Sequence, residues 1–186
     1  MTETKTEELE AIRMRYRTDL SSFYKGAIEA LFPEHNFRNP PHVQAINYQL
    51  ERILMGEITR LIVNVPPRHF KSTIISVVFA SFFLGLEPWR KIIAVSYSSD
   101  LTVELHNMLR DLMKSDFYQW VFPETKIKPG KDTEVQIKTT RGGGHRAVST
   151  GSSITGFGAD MIICDDLMKP GEAESDTRRE TANNYV

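Results

Sequence analysis

Lys71 and Ser72 stand in a pattern that suits phosphate binding. They follow a Pro-Pro turn in the run VPPRHFKST, which covers residues 65–73. Backbone N–H groups at the start of a helix bind anions, a lysine adds positive charge, and a serine hydroxyl can bind Mg²⁺. The usual phosphate-binding loop has glycine at two positions that are Val65 and Phe70 here. The run therefore indicates either a phosphate-binding loop or an ordinary turn with a lysine in the first helical turn.

Two adjacent carboxylates, Asp165 and Asp166, follow the apolar run Met161–Cys164. In nucleotide-hydrolysing proteins an acid after such a strand holds Mg²⁺, and a neighbouring group orients or deprotonates the attacking water. An acid at the end of a strand is more often a helix cap or a solvated turn residue, so this pair alone is a weak signal. Because the pair follows Lys71 by about ninety residues, in the order expected for such proteins, the two signals together favour phosphate chemistry.

Three arginines and one loop are further candidates. Arg68, Arg141 and Arg146 could stabilise a transferring phosphate, although most arginines are solvated surface charges. Residues 150–160 form a loop rich in Gly, Ser and Thr, which either contacts phosphate or only returns the chain to the sheet. The single cysteine, Cys164, excludes an intramolecular disulfide framework and a multi-cysteine zinc site, and its apolar neighbours favour a core position.

The composition is that of a globular protein of about one domain. The 186 residues are 40% hydrophobic and 25% charged, which excludes a wholly disordered chain. The formal net charge of −1 excludes overall positive charge as the means of binding nucleic acid, but it leaves a local basic patch open. The longest apolar stretch, Ile74–Leu86, is too short to span a bilayer, and the acidic N-terminus has no secretory signal.

The elements that must position these residues follow from apolar periodicity. Helical spacing predicts helices over residues 5–32 (with a break near Asp19), 42–55, about 71–84 and 100–114. Apolar or alternating runs predict strands at residues 61–65, 91–96, 134–139, 145–149 and 161–164, with the third and fourth forming a hairpin. The alternation of strands and helices favours an α/β parallel sheet with right-handed crossovers. Ligands bind at the carboxyl ends of such strands, which here are residues 66–73, 96–98 and 165–166.

Taken together, four runs resemble the large terminase subunit of tailed bacteriophages. They are residues 60–72 (with 50–52 and 56–57 before them), 94–98, 155–160 and 162–166, and the similarity covers about residues 35–186. Members of that family use ATP hydrolysis to drive double-stranded DNA into a preformed capsid, and a separate C-terminal nuclease domain cuts the DNA. The resemblance implies a three-layer P-loop NTPase fold of the ASCE/RecA-like kind, with a mostly parallel central sheet and an N-terminal helical appendage.

The resemblance also implies a role for individual residues. Lys71 would contact the β- and γ-phosphates, Ser72 and Asp165 would hold Mg²⁺, and Asp166 would act on the attacking water. Gln44 would recognise adenine. The nucleotide-binding set would be Gln44, Pro66, Pro67, Arg68, His69, Phe70, Lys71, Ser72 and Thr73, and the residues acting on the transferring phosphate would be Lys71, Asp166, Arg68 and Arg146.

The sequence departs from the family pattern at three points. Asp166 stands where the family usually has a longer glutamate. Many members have an Arg-Gly pair where this chain has Thr155-Gly156, so the arginine acting in trans is Arg146 or Arg141, or lies outside this sequence. We expect residues 1–41 to be a helical segment, as a lid or a docking helix, and 42–186 to be an incomplete ATPase core without the nuclease domain.

These inferences predict the ATPase domain of a viral DNA-packaging motor. The expected cofactors are ATP and Mg²⁺, and the expected partners are the backbone of double-stranded DNA, the portal protein, the small terminase subunit and further copies of the chain in a ring, without a membrane. The expected location is the host-cell cytoplasm, at the portal of the procapsid. Two alternatives stay open: a non-catalytic nucleotide-binding module, and a helicase-like ATPase that depends on nucleic acid. The isolated chain is expected to hydrolyse ATP weakly or not at all.

Overall fold

Three helices form the N-terminal part of the computed structural model, which describes residues 3–34, 39–150, 152 and 156–168. Helix α1 is Glu3–Thr18, α2 is Leu20–Leu31 and α3 is Pro41–Leu54. The predicted break at Asp19 is confirmed, because its carboxylate accepts hydrogen bonds from the backbone N–H groups of Ser21 and Ser22 and so caps α2. The glycine after α3, Gly56, has a φ of +73°, as a residue that ends a helix often does.

The helix predicted from residue 71 is present but is not uniform. It begins at Lys71, continues as a π-helix over Thr73–Phe79, and ends as α4, Ala80–Leu86. The backbone N–H of Ala80 donates to the carbonyl of Ile75, five residues earlier, which is the π-helical pattern. Such segments are rare and are often found at functional sites. Apolar periodicity does not distinguish them from an ordinary helix.

The remaining helices and the strands form one α/β unit with a five-stranded mixed sheet. Helix α5 is Ser99–Lys114 and α6 is Asp116–Val121. The strands are β1, Lys91–Ser96; β2, Ile127–Asp132; β3, Gln136–Thr139; β4, Gly144–Ser149; and β5, Met161–Cys164. Their order across the sheet is β2-β3-β4-β1-β5.

The sheet is only partly parallel, which corrects the expectation of a mostly parallel one. Strand β1 pairs in parallel with β4 and β5, whereas β2, β3 and β4 pair antiparallel. The reason is the short connection between β3 and β4, because a tight turn can join only antiparallel neighbours. That turn includes Gly142, whose φ is +93°, and the Gly142 N–H donates to the Thr139 carbonyl at 3.2 Å.

The predicted strand at residues 61–65 is wrong for the part of the chain that the structure describes. The segment is assigned to no strand there, and Ile62 is 86% exposed. Leu61, Val63 and Val65 pack against the apolar core, but a strand also needs a neighbour that supplies backbone hydrogen bonds, and none is recorded here among the described residues. Two elements were also missed: α6 is short, and β2 contains Pro129 and Gly130, which are typical of edge strands.

The helices pack on one face of the sheet. Ile92, Ile137 and Ile163 lie on this face and share one apolar core with the helices. On the opposite face Ile93, Val95 and Val148 form a second, smaller cluster, against which Phe157 and Leu167 pack. Neither of these two residues belongs to a helix. The third layer implied by the family resemblance is therefore not seen among the described residues.

Helix α2 shares the main core with the rest of the molecule. The ring of Phe23 lies 5.0 Å from that of Phe82 and 5.6 Å from that of Phe122, measured between centroids. The boundary near residue 41 stays a prediction, but α2 buries the same apolar surface as α4 and α6. No helix in the described ranges is long and apolar enough to cross a membrane.

Candidate functional site

The carboxyl ends of β1 and β5 bring the two predicted acids to one end of the sheet. The backbone N–H of Asp165 donates to the carbonyl of Val95 at 2.8 Å, and the N–H of Tyr97 donates to the carbonyl of Asp166 at 2.9 Å. These bonds extend the parallel pairing of β1 and β5 by two residues. The backbone therefore fixes the position of both carboxylates where ligands bind in α/β sheets.

Lys71 lies between these two acids. Its Nζ atom is 2.9 Å from Oδ1 of Asp165 and 3.0 Å from Oδ1 of Asp166. Asp165 is buried, whereas Asp166 is exposed and has a φ of +48°. The two groups that the sequence singled out thus meet in space, although Lys71 and Asp166 are 95 positions apart in the chain.

The charges of the two acids keep Lys71 protonated. Partial burial of the ammonium acts to lower the pKa of Lys71. The hydrogen bonds and negative charges of Asp165 and Asp166 act in the opposite direction, and their combined effect raises that pKa above its usual value. Lys71 is therefore a permanent cation at any physiological pH.

A groove with a volume of about 560 Å³ lies beside this ion pair. It is lined by residues 65–73 and by Asp166. Sites for small molecules usually have volumes of about 300–1,000 Å³, so the groove is large enough for a nucleotide. All eight predicted nucleotide-binding residues from Pro66 to Thr73 line it.

The groove is bordered by three non-glycine residues with left-handed backbone. The φ angles are +64° at Arg68, +60° at Phe70 and +48° at Asp166. For residues with a side chain this conformation costs about 1–2 kcal/mol, and it is concentrated at functional sites. Phe70 stands where the usual phosphate-binding loop has glycine, so the loop adopts a glycine-like conformation without the glycine.

The side chain of His69, although exposed, contacts two backbone carbonyl groups of the loop. Its Nδ1 atom lies 3.1 Å from the carbonyl oxygen of Pro66 and 2.9 Å from that of Pro67. Both partners are acceptors, so the ring carries its hydrogen on Nδ1. The ring of His42, in α3, packs against that of His69 with centroids 5.3 Å apart. The two prolines, which have no N–H, are thus fixed through their carbonyl groups.

The helix that begins at Lys71 has its first residues in the groove lining. The N–H of Ile74 donates to the carbonyl of Phe70 at 2.8 Å, which closes the first turn. The N–H groups of Lys71, Ser72 and Thr73 precede that bond, so they are among the N–H groups that a helix leaves without an intrahelical acceptor. Together with the Lys71 charge, they form a positive end that suits a phosphate group.

The structure does not bring Gln44, Arg141 or Arg146 to this groove. The Gln44 side chain donates to the carbonyl of Asn39 at 2.9 Å, and Gln44 is not part of the groove lining. Arg141 pairs with Glu124 at 3.0 Å in the β3–β4 turn, at the opposite end of β4 from the acids. Neither arginine contacts the ion pair within one chain, and their roles in trans stay predictions.

Arg146 lies on the sheet face that the helices do not cover. It pairs in register with Ile93, and its guanidinium lies over the ring of Phe157, 5.2 Å from the centroid. Gly151 and residues 153–155 of the predicted loop, the Thr155 position included, lie outside the described residues, as does the chain after Met168.

The donor set fits Mg²⁺. Mg²⁺ is usually bound by one or two carboxylates together with phosphate oxygens and waters, rather than by a cage of side chains. Asp165 and Asp166 each direct one oxygen at the same cation, the Lys71 ammonium, and Ser72 is among the residues that line the groove. In the described part of the chain, no group of three or more His, Cys, Asp or Glu residues is placed to hold a metal.

Sequence reasoning missed a buried polar cluster behind the acids. His106 of α5 and His145 of β4 stack with ring centroids 5.1 Å apart, and they lie near Ser96 and Asp165. Histidines in an amphipathic helix and in an alternating strand give no signal of this kind, because their contact depends on how α5 packs on the sheet. The one relevant signal in the sequence was that residues 96–98, which include Ser96 of this cluster, lie at the carboxyl end of a predicted strand.

Comparisons with known proteins give no family for this chain. No protein-family model matches the sequence, and no curated protein matches it either.

Proposed function

We propose that this chain binds ATP with Mg²⁺ in the groove beside Lys71 and hydrolyses it, as the ATPase part of a terminase-like DNA-packaging motor. The observation that carries the proposal is the placement of Lys71 Nζ within 3.0 Å of both strand-end acids, at the edge of a nucleotide-sized groove. A lysine that contacts the phosphates, an acid that holds Mg²⁺ and a group that orients the attacking water are recurring parts of phosphoryl-transfer sites.

In this mechanism the chain acts mainly by placing charged and hydrogen-bonding groups around the phosphates. The N–H groups at the start of the helix and the Lys71 ammonium bind the β- and γ-phosphates. Asp165 and Ser72 would hold Mg²⁺, which would supply positive charge against the phosphate oxygens. Arg68, exposed at the rim, reaches the same phosphates from within the chain, while Arg146 or Arg141 of a neighbouring copy would act in trans.

Asp166 orients the attacking water. Its side chain is shorter than that of the glutamate expected from the resemblance by one C–C bond, about 1.5 Å. The left-handed backbone at Asp166 turns the carboxylate toward Lys71, where its oxygen accepts a hydrogen bond at 3.0 Å. The carboxylate is free to act on water only after Lys71 has moved to the phosphates.

Nucleotide binding would therefore change which groups Lys71 and the two acids contact. Lys71 already contacts Oδ1 of Asp165, the acid that would hold Mg²⁺, so Mg²⁺ alone would compete with an ammonium that is already in place. A triphosphate supplies new acceptors for Lys71 and releases the acids for the metal. We accordingly expect metal and nucleotide to bind together much more tightly than either binds alone.

The motor assignment rests on the motif resemblance. It implies that force reaches double-stranded DNA through contacts to the phosphate backbone, without reading of bases. It also implies a ring of subunits with the portal protein and the small terminase subunit, in the host-cell cytoplasm at the procapsid portal. A non-catalytic nucleotide-binding module is the second candidate, because Asp166 is short and is already bonded to Lys71.

The decisive experiment compares Lys71→Ala with Lys128→Ala, which removes an exposed lysine of β2 far from the groove. Calorimetry would measure binding of Mg-ATP, and a phosphate-release assay would measure turnover. We expect Lys71→Ala to weaken binding at least tenfold and to abolish turnover, with Lys128→Ala unchanged. Because the isolated chain is expected to hydrolyse ATP weakly or not at all, the binding data test the site, and turnover above the Lys71→Ala background would favour the ATPase over the non-catalytic module. Equal affinities in both variants would overturn the proposed site.

A further inference from the structure

A second, much smaller cavity is lined in part by Asp165 and has no lining residue in common with the groove. Its volume is about 10 Å³, and it lies between β1, β4 and α5. The polar residues in its lining include Ser96, His106, His145 and Asp165, each of which is at most 6% exposed. The cavity therefore lies among buried polar groups, directly behind the carboxylate that Lys71 contacts.

Three buried polar atoms of this lining have no hydrogen-bond partner among the residues that the structure describes. They are Ser96 Oγ, His145 Nε2 and Asp165 Oδ2. Unpartnered buried polar atoms are costly and rare, and when several surround one cavity they are commonly satisfied by an internal water. A single water needs a cavity of roughly 10–15 Å³ and two to four polar partners. Both conditions are met here.

The hydrogens of the histidine pair can be assigned from their partners. His106 Nε2 lies 3.2 Å from the carbonyl oxygen of Thr133, which can only accept, so the hydrogen of His106 is on Nε2. Its Nδ1 is then an acceptor, and it lies 2.9 Å from His145 Nδ1, which must donate. His145 Nε2 is consequently left as an acceptor without a partner among the described residues, in a residue that lines the cavity.

This assignment requires both rings to be neutral, and their burial supports that. Desolvation lowers the pKa of His106 to about 4. Desolvation, and then the neighbouring His106, lower the pKa of His145 to about 3. At neutral pH each ring therefore carries one nitrogen-bound hydrogen, as the hydrogen-bond partners of its two nitrogens require.

The three unpartnered atoms match the hydrogen-bonding capacity of one water molecule. A water has two hydrogens to donate and can accept from a hydroxyl. His145 Nε2 and the ionised Asp165 Oδ2 are acceptors, whereas Ser96 Oγ–H is a donor. One water within reach of all three atoms would therefore satisfy each of them.

We propose that a single buried water joins Ser96, His145 and Asp165, and that His145 is a positioning residue for Asp165. With Oδ2 held by this water and Oδ1 facing Lys71, the plane of the carboxylate is fixed from both sides. The chain of contacts runs from the Thr133 carbonyl through His106 and His145 to the acid at the groove. The consequence for metal binding rests on the proposed function, whereas the water and the tautomers do not.

The first test is independent of any ligand. A crystal structure at high resolution should show one ordered water within hydrogen-bond distance of Ser96, His145 and Asp165. Nitrogen NMR of the full chain should show His106 with its hydrogen on Nε2 and His145 with its hydrogen on Nδ1. A direct His145–Asp165 contact, a dry cavity or the opposite tautomers would overturn the proposal.

The second test separates positioning from folding. His145→Phe keeps a ring but removes the acceptor, and His145→Gln keeps an acceptor near the Nε2 position. With ADP and Mn²⁺ as probes, we expect His145→Phe to weaken binding of Mn-ADP about tenfold, the lower end of the effect of losing a residue that supports a metal ligand. ADP without metal should bind both variants as it binds the unsubstituted chain, and His145→Gln should recover most of the Mn-ADP affinity.

The outcomes distinguish this proposal from the proposed function. If the unsubstituted chain binds no nucleotide, the proposed function fails, while the water and tautomers are still tested by the first experiment. If the water is present but a folded His145→Phe variant binds Mn-ADP normally, the positioning role of His145 is refuted. Thermal unfolding of each variant identifies one that has merely lost its fold.

Discussion

Individual residues at the groove adopt a backbone conformation that their side chains disfavour. Arg68 and Phe70 have φ values near +60°, and a phosphate-binding loop normally meets this demand with glycine. The prolines at positions 66 and 67, whose carbonyls are held by His69, supply the rigidity that keeps the loop in this shape. The loop thus keeps a strained backbone at Arg68 and Phe70, whereas the usual phosphate-binding loop avoids such strain with flexible glycine residues.

The strain at Arg68 predicts an unusual response to substitution. Arg68→Gly should be more stable than Arg68→Ala by about 1 kcal/mol, because only glycine adopts a φ of +64° without steric cost. Urea unfolding of the two variants measures the difference. The same pair at Lys128, in β2, should show the opposite sign, since glycine weakens a strand. Equal signs at the two positions would show that Arg68 is not strained.

Asp160 carries a pH-dependent contribution to stability. Its carboxylate accepts from the Lys91 N–H at 2.8 Å and from Arg90 at 2.9 Å, and these bonds lower the pKa of Asp160. Because the folded-state pKa lies below the unfolded one, the stabilisation is present above the unfolded pKa, near 4, and is lost as pH falls through the folded value. Asp160→Asn should lower the urea midpoint at pH 7, and the difference should shrink below pH 4. A difference that is constant with pH would contradict this.

At the scale of elements, the turn between β3 and β4 fixes the mixed character of the sheet. A Cβ on Gly143 would collide with the backbone carbonyls of Arg90 and Pro88, whereas a Cβ on Gly142 would meet open space. The turn therefore packs tightly against the backbone of residues 88–90, which lead into β1. This contact fixes the register in which β4 begins to pair with β1.

The two glycines of this turn should respond differently to alanine. Gly143→Ala should lower the free energy of unfolding by about 2–3 kcal/mol through overpacking against backbone that cannot yield. Gly142→Ala should cost only about 1 kcal/mol, from its φ of +93°. Thermal or urea unfolding of both variants makes the comparison, and equal losses would refute the contact.

At the scale of the whole molecule, the aromatic core joins the N-terminal helices to the rest of the chain. Phe23 of α2 is fully buried and contacts the rings of Phe82, Phe117 and Phe122. A segment that acted as a separate lid would not bury a phenylalanine at the centre of the common core. We therefore expect residues 3–34 to unfold together with the sheet.

Phe23→Ala tests this expectation. It should destabilise the whole chain by about 3–5 kcal/mol, as large-to-small changes of buried phenylalanine do. With Trp120 replaced by Phe, Trp89 near the start of β1 reports on the sheet by fluorescence, while circular dichroism reports on the helices. Both transitions should shift together. Tyr48→Ala, at a residue that is 60% exposed, is the control that should shift neither. An unchanged Trp89 transition would indicate an independent N-terminal segment.

The sequence predicted elements that depend on local signals and failed where distant contacts decide. The break at Asp19, the β3–β4 hairpin and the strand at residues 91–96 follow from capping, turn residues and apolar runs, and all are confirmed. Residues 61–65 have the same apolar character, but no described strand supplies their backbone with hydrogen bonds. The meeting of Lys71 with the acids was inferred from the topology rule, whereas the His106–His145 contact had no such rule behind it.

Under the proposed function, the ion pair at the groove has a consequence for how fast a nucleotide arrives. In the ligand-free chain the positive charges of Lys71 and Arg68 are balanced by Asp165 and Asp166, so the mouth of the groove exerts little net attraction on a distant polyphosphate. Electrostatic steering depends on an unbalanced local field. Encounter should therefore be governed by ordinary diffusion and vary little with ionic strength, and selectivity for the triphosphate should arise after contact, in the rate at which it leaves.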